Sequence, residues 1–220
     1  MLRSRSVCAV LIALSFLFNK AQGVLWKDFW KKNQVIGYAT VSEEQAKLIN
    51  KDNKLYEGDE LHVKRPPYAL QTGSGFYILN GPGNWVRSSI DEEERRWYCA
   101  IEARKRKMKN IGKIKIPISL WSENEEEIVD YITLTRLVSE PKEALRFSWV
   151  KGFKGWQLQM LIPTDVVKKD DLELRARCFA SEEELMKFSH VTLDWDAWKA
   201  KGYLGKPGPY RLGGSYYGYA

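Results

Sequence analysis

The side chains able to do chemistry are unevenly stocked in this chain of 220 residues. There are two histidines, His62 and His190, too few for a multi-histidine metal centre, and neither has a nearby serine-and-acid arrangement of the triad kind. No metal site is expected. Of the three cysteines, Cys8 falls in an apolar leader, which leaves Cys99 and Cys178 to form one bridge rather than sit as two buried thiols. Closing a loop of about eighty residues should stabilise the fold by roughly 4 kcal/mol. With that bridge formed, no thiol remains for nucleophilic catalysis.

The carboxylates cluster at Glu92-Glu93-Glu94, beside Arg95-Arg96, and at 123–127, where a helix begins. Acids at a helix start favour the helix dipole, and no spacing argues for the paired carboxylates of a glycosidase. The run RKRKMK at 104–109 puts five cations in six residues. It could hold phosphates or act as a nuclear address, but reads first as a solvated helical face without the aromatic interleaving of a single-strand binder. Gly73-Ser74-Gly75 runs into the apolar FYIL of 76–79. Glycines preceding a strand reverse the strand-glycine-helix order of a dinucleotide-binding turn, and no Gly-Lys-Ser/Thr follows to make a P-loop. The bare physical reading is a tight turn delivering a buried strand.

Positioning these groups requires a core, and the composition supplies one: 44% apolar and 29% charged residues, with nine Trp, eleven Tyr and eight Phe. Trp97, Trp149 and Trp156 fall in expected strands, while Trp85 and Trp121 are better candidates for an exposed sugar-stacking platform. At the N-terminus, Arg3 and Arg5 precede an apolar run at 7–18, and Ala21-Gln22-Gly23 offers small residues for cleavage. This is the plan of a secretory signal at 1–23, too short in its apolar part to anchor in a membrane. Removing Arg3, Arg5 and Lys20 takes 35 basic residues to 32 against 28 acids, a mature charge of +4. That balance does not demand a nucleic-acid partner. The expectation is a secreted, extracellular, monomeric protein without a membrane anchor.

Local patterns give an α+β order. Residues 35–41 (VIGYATV) read as a strand and Ser42-Glu43-Glu44-Gln45 as a capping box opening a helix to about 50. A long polar loop should follow to 72, then the 75–79 strand, turn chemistry at 80–84 and a charged loop at 88–96. The segment 97–102 (WYCAIE) places Trp97, Cys99 and Ile101 on one strand face, and a basic helical turn follows at 103–110. Residues 113–116 alternate as a half-exposed strand. Ser122 with Glu125 should cap an acidic helix to about 138, with a second short helix near 143 and a strand at 147–150. A hairpin loop at 151–155 leads to the strand 156–162, a turn at 163–167 and an alternating strand at 172–178. Ser181 with Glu184 caps a further helix, Trp195 and Trp198 anchor a last amphipathic turn, and 201–220 is a Gly/Tyr-rich flexible tail. One domain at 24–200 accounts for the chain.

The order GYATVSEEQAKLIN, GSGFYILN, WYCAIE and WQLQMLIP resembles secreted fungal proteins with the ADP-ribosyltransferase fold, relatives of the heat-labile enterotoxin and cholera toxin A subunits. The likeness spans roughly residues 35–180. It implies a split, mostly antiparallel sheet holding NAD in a cleft. In active members an Arg or His on the first core strand, an aromatic or Ser-Thr-Ser set on the middle strand and a Glu on a later strand hold and activate the cofactor. Mapped here, the first-strand position is Ala39, beside Tyr38; the aromatic is Tyr77; and Gln159 stands nearest the Glu. The resemblance thus implies Tyr38 and Tyr77 as cofactor-facing residues and Gln159 as the catalytic position. Ala39 cannot neutralise a phosphate, and neutral Gln159 cannot oppose an oxocarbenium ion, a loss on the order of 10²–10³ in rate.

The sequence leads to a secreted effector-like or toxin-related interaction protein that targets another protein, on this fold but with an incomplete catalytic set. One alternative is a working NAD-dependent transferase using Tyr77 and Gln159. A second is a carbohydrate-binding module built on exposed tryptophans.

Overall fold

The computed structural model describes residues 32–55, 71–83, 96–121, 123–150 and 157–205. The signal-like leader, the polar loop centred on 56–70 with His62, the segment 84–95 with Trp85, the 151–155 turn with Trp156, and the tail from 206 lie outside those residues.

Among the described residues seven strands form one sheet: β1 (Asn33–Ser42), β2 (Gly75–Leu79), β3 (Arg96–Arg104), β4 (Lys113–Lys115), β5 (Leu145–Trp149), β6 (Leu158–Pro163) and β7 (Arg175–Phe179). Their spatial order is β4-β5-β6-β2-β1-β3-β7. Among the described residues every pairing is antiparallel except β4 with β5. The helices are α1 (Glu43–Asp52), α2 (Lys105–Asn110), α3 (Glu125–Thr135), α4 (Thr164–Lys169) and α5 (Glu182–Phe188), with 3-10 turns at Ile118–Leu120 and Asp196–Trp198. The protein is therefore mixed α+β with a mostly antiparallel sheet. No described helix is long and apolar enough to cross a membrane.

Strand alternation divides the side chains between two faces. The first face is the main apolar core: Ile36, Ala39, Phe76, Ile78, Cys99, Ile101, Phe147, Met160, Ile162, Ala176 and Cys178 pack there against Ala46 and Ile49 of α1, Met108 of α2 and Val166 of α4. Trp195 enters the same core, meeting Phe147 edge-on at 5.5 Å and donating its indole N–H to the Ile36 carbonyl at 3.1 Å. Gly37 is required by close approach, since a Cβ there would stand 2.4 Å from the Ile78 side chain. On the second face α3 sets Ile128 and Ile132 over Ile114 and Ile116, while Leu185 of α5 packs on Tyr38 and Ala100.

Cys99 and Cys178 stand directly opposite each other on β3 and β7, and they are bonded. The disulfide thus ties the last strand to its neighbour. Both sheet edges are covered, which removes open templates for further pairing. At β7 the Asn50 side chain of α1 accepts from the Cys178 N–H at 2.8 Å and donates to its carbonyl at 2.9 Å. At β4 the Lys201 backbone bonds to Lys113 and Lys115. Residues 201–205, expected to begin the tail, are therefore laid against the sheet, with Leu204 buried.

Several local expectations change. The acidic helix α3 is capped by Asn124, whose side chain accepts from Glu127 N–H, and it ends at Thr135 with Arg136 in the left-handed region. Residues 141–143 form turns in place of a second helix, leading into the buried Ala144 and Leu145. The turn expected after Pro163 is the helix α4, stabilised by Val166 in the core. By contrast, Ser42 and Ser181 cap α1 and α5 as expected, accepting from Gln45 and Glu184 N–H.

Candidate functional site

The register of the second face brings the residues singled out by resemblance into two adjacent cross-strand rows. In one, Tyr38 lies opposite Leu79, Leu79 opposite Gln159, and Gln159 opposite Ser148. In the next, Tyr77 lies opposite Leu161, Leu161 opposite Arg146, and Arg146 opposite Ile114. Tyr38, Tyr77 and Gln159 therefore share a face. Ala39 does not, because one residue along the strand it belongs to the main apolar core.

Arg146 organises this face. It is fully buried on β5, between the core residues Leu145 and Phe147 in sequence. Its guanidinium grips Glu125, the first residue of α3, with two bonds of 2.6 and 3.0 Å. It also donates to the Thr72 carbonyl at 2.9 Å. Glu125 in turn accepts from the Ser74 backbone N–H at 2.9 Å. The pair thus clamps the glycine turn, and the turn is shaped to receive it. Gly73 has φ +105°, and a Cβ on it would stand 2.2 Å from both an Arg146 nitrogen and a Glu125 oxygen. The bidentate fork suits a planar carboxylate, which a lysine could not match.

Tyr77 is held by the same turn. Its hydroxyl accepts from Thr72 N–H at 2.8 Å and donates to the Gly73 carbonyl at 2.9 Å. Burial pushes its phenol above the usual tyrosine range, with the Thr72 hydrogen bonds and the nearby Arg146 charge opposing. The Tyr38 hydroxyl meets Ser189 Oγ at 2.6 Å and donates to the Val191 carbonyl at 2.8 Å, and burial raises its phenol likewise. Gln159 donates to Ser148 Oγ at 3.0 Å, while Gln71 donates to the same hydroxyl at 3.4 Å and to the Trp149 carbonyl at 2.6 Å. The result is a largely buried row of amides and hydroxyls with one ion pair at its rim, its polar groups hydrogen-bonded within the chain.

Arg146, Glu125, Ser148, Gln71 and Thr72 were not singled out by sequence reasoning. One signal was present for Arg146: a lone cation inside the apolar strand LRFSW. Glu125 was read as a helix-start charge, which it is, but its carboxylate reaches 21 positions along the chain to Arg146. Among the other candidates, Trp97 is half-buried against the core, and Trp121 is partly covered with its indole N–H buried and without a hydrogen-bond partner. No group of three or more metal-ligating side chains occurs among the described residues.

A second ionisable group is buried on this face, at its far side. Glu102 of β3 is opposite Val35 of β1 and Arg175 of β7. One carboxylate oxygen has no hydrogen-bond partner. Burial raises its pKa to about 7, against the pull of Arg177.

These features define a class: an α+β protein with a disulfide-stitched seven-stranded sheet and a self-bonded polar row on one face. Residues 70–203 match the model of a family described as a family of unknown function, DUF5910, and the chain belongs to that family. The match covers over half the chain, from just before the glycine turn to the segment that caps β4. No curated protein matches it.

Proposed function

We propose that this chain is a secreted, effector-like or toxin-related interaction protein built on an ADP-ribosyltransferase-like fold, and that it acts by binding a target protein without catalysing transfer. The supports for the fold are the mostly antiparallel sheet and the meeting of Tyr38, Tyr77 and Gln159 on one face. The buried cross-strand disulfide supports an oxidising destination.

One observation carries the non-catalytic part. The polar groups at the signature positions are engaged within the chain: Tyr77 in the glycine turn, Tyr38 on Ser189 and Val191, Gln159 on Ser148. These residues fit NAD poorly. Ala39 faces the apolar core and offers no cation for a pyrophosphate, and Gln159 offers no charge. The buried cation on this face, Arg146, is already neutralised by Glu125.

The test is an assay of nicotinamide release and of label transfer from NAD to a protein mixture. The expected result is no release above the uncatalysed background. Turnover that falls when Gln159 is changed to Ala would overturn the reading.

A further inference from the structure

We propose that α2 and Lys32 beside it form a binding surface for a sulfated polysaccharide. β1 and β3 pair so that Asn33 is opposite Arg104, which brings Lys32 and the start of α2 to one end of the sheet. Met108 roots the helix in the apolar core, and Lys105, Arg106 and Lys109 are exposed around it.

Ion pairing at this end leaves the cations in excess. Glu173 is shared by Arg104 at 3.2 Å and Lys107 at 3.5 Å. Asp170 is shared by Arg175 at 3.4 Å and Lys54 at 3.9 Å. Asp171 lies within the field of Lys169, which is itself bonded to Glu143. Lys113 turns inward onto the carbonyls of Met108 and Ile111, covering the end of the helix. Lys32, Lys105, Arg106 and Lys109 have no carboxylate within ion-pair distance among the described residues.

The chemistry of the patch selects its occupant. Five of the six consecutive positions 104–109 are exposed or half-exposed lysine or arginine, four of them on the helix itself. Such density attracts a polyanion by counterion release. The helix has no aromatic side chain on which a base could stack, and its one apolar residue is buried, so it has nothing to insert into a bilayer. A flexible chain bearing ester sulfates needs neither. This surface is independent of the Arg146 row, and the failure of either proposal leaves the other standing.

The test is calorimetric titration of the disulfide-bonded full chain with a heparin-derived oligosaccharide at physiological salt. Saturable binding is expected, with a triple variant Lys105→Gln, Arg106→Gln, Lys109→Gln binding at least about tenfold more weakly and with a salt slope shallower by about 2. A control double, Lys47→Gln, Lys187→Gln, removes charge from exposed sites elsewhere and should bind within twofold of the parent. No binding by the parent chain, equal loss in the control, or tighter binding to single-stranded DNA or anionic vesicles would overturn the proposal.

Discussion

Arg146 and Glu102 are charged side chains buried on the same face of one sheet, and their surroundings differ in kind. Arg146 is held by a bidentate carboxylate and a backbone carbonyl, and only its Nε lacks a partner. Glu102 has Arg177 in its field but one oxygen without a partner. The first group is accommodated in the interior because a carboxylate at its rim pairs with it. The second meets the cost of burial by holding its proton to about pH 7. Burial alone does not determine what an ionisable group does. Geometric pairing does, and the comparison can be tested by removing the partner on one side and the charge on the other.

The largest effect should come from stranding Arg146. Glu125→Ala leaves an unpaired guanidinium in the interior and should lower stability by about 4 kcal/mol in urea unfolding. Arg146→Met should cost less, because Glu125, 40% exposed, can turn to water. Equal losses from the two would break the asymmetry. Next comes the turn shaped around the pair. Gly73→Ala adds a Cβ against both partners at a positive φ, and about 3 kcal/mol should be lost on thermal or urea unfolding.

Removing the charge that Glu102 buries should work in the opposite direction. Its folded pKa lies near 7 and its unfolded value near 4.5, so the native state binds more protons between them. Below 4.5 the group is neutral in both states and costs nothing. As pH rises to 7 the unfolded chain gains by ionising, and wild-type stability falls; above 7 the full penalty remains. Glu102→Gln should therefore raise stability by about 2 kcal/mol at pH 8 and leave it unchanged at pH 4. A pH-independent difference would mean that charge is not the cause. The smallest effect is Tyr77→Phe, which removes the hydroxyl's hydrogen bonds to Thr72 and Gly73 and should cost about 1 kcal/mol by the same unfolding assay.

What could be read from the sequence follows the range of the forces involved. Ser42 with Gln45 and Ser181 with Glu184 were legible because a cap and its donor lie three residues apart. The disulfide was legible by elimination, and the alternation put Leu172, Leu174, Ala176 and Cys178 in the core, although the strand begins only at Arg175 and Leu172 and Leu174 reach the core from the turn before it. The start of α3 was misread because Ser122 and Asn124 are both competent caps two positions apart, and the capping bond to Glu127 belongs to Asn124. α4 was missed because Pro163 and Thr164 carry turn chemistry, while the core contact of Val166 that holds the helix is tertiary.

The same division runs through the candidate site. The glycine turn announced itself, but what it wraps did not. Arg146 and Glu125 are joined across the fold, and neither position carries a local pattern naming the other. The order of residues 201–205 was equally hidden, since it rests on backbone bonds to β4, which side-chain periodicity does not report. Resemblance placed Tyr38, Tyr77 and Gln159 at their positions. Only the pairing register brought them to one face and turned Ala39 to the other.

The central claim is that the polar row is closed upon itself and does not accept NAD. It is tested most directly by calorimetric titration of the disulfide-bonded full chain with NAD to millimolar concentration, alongside the Tyr77→Phe variant. The account predicts no saturable heat from either protein. Saturable binding by the parent chain that is weakened in the variant would contradict it, because it would show that the Tyr77 hydroxyl leaves the glycine turn to meet a ligand.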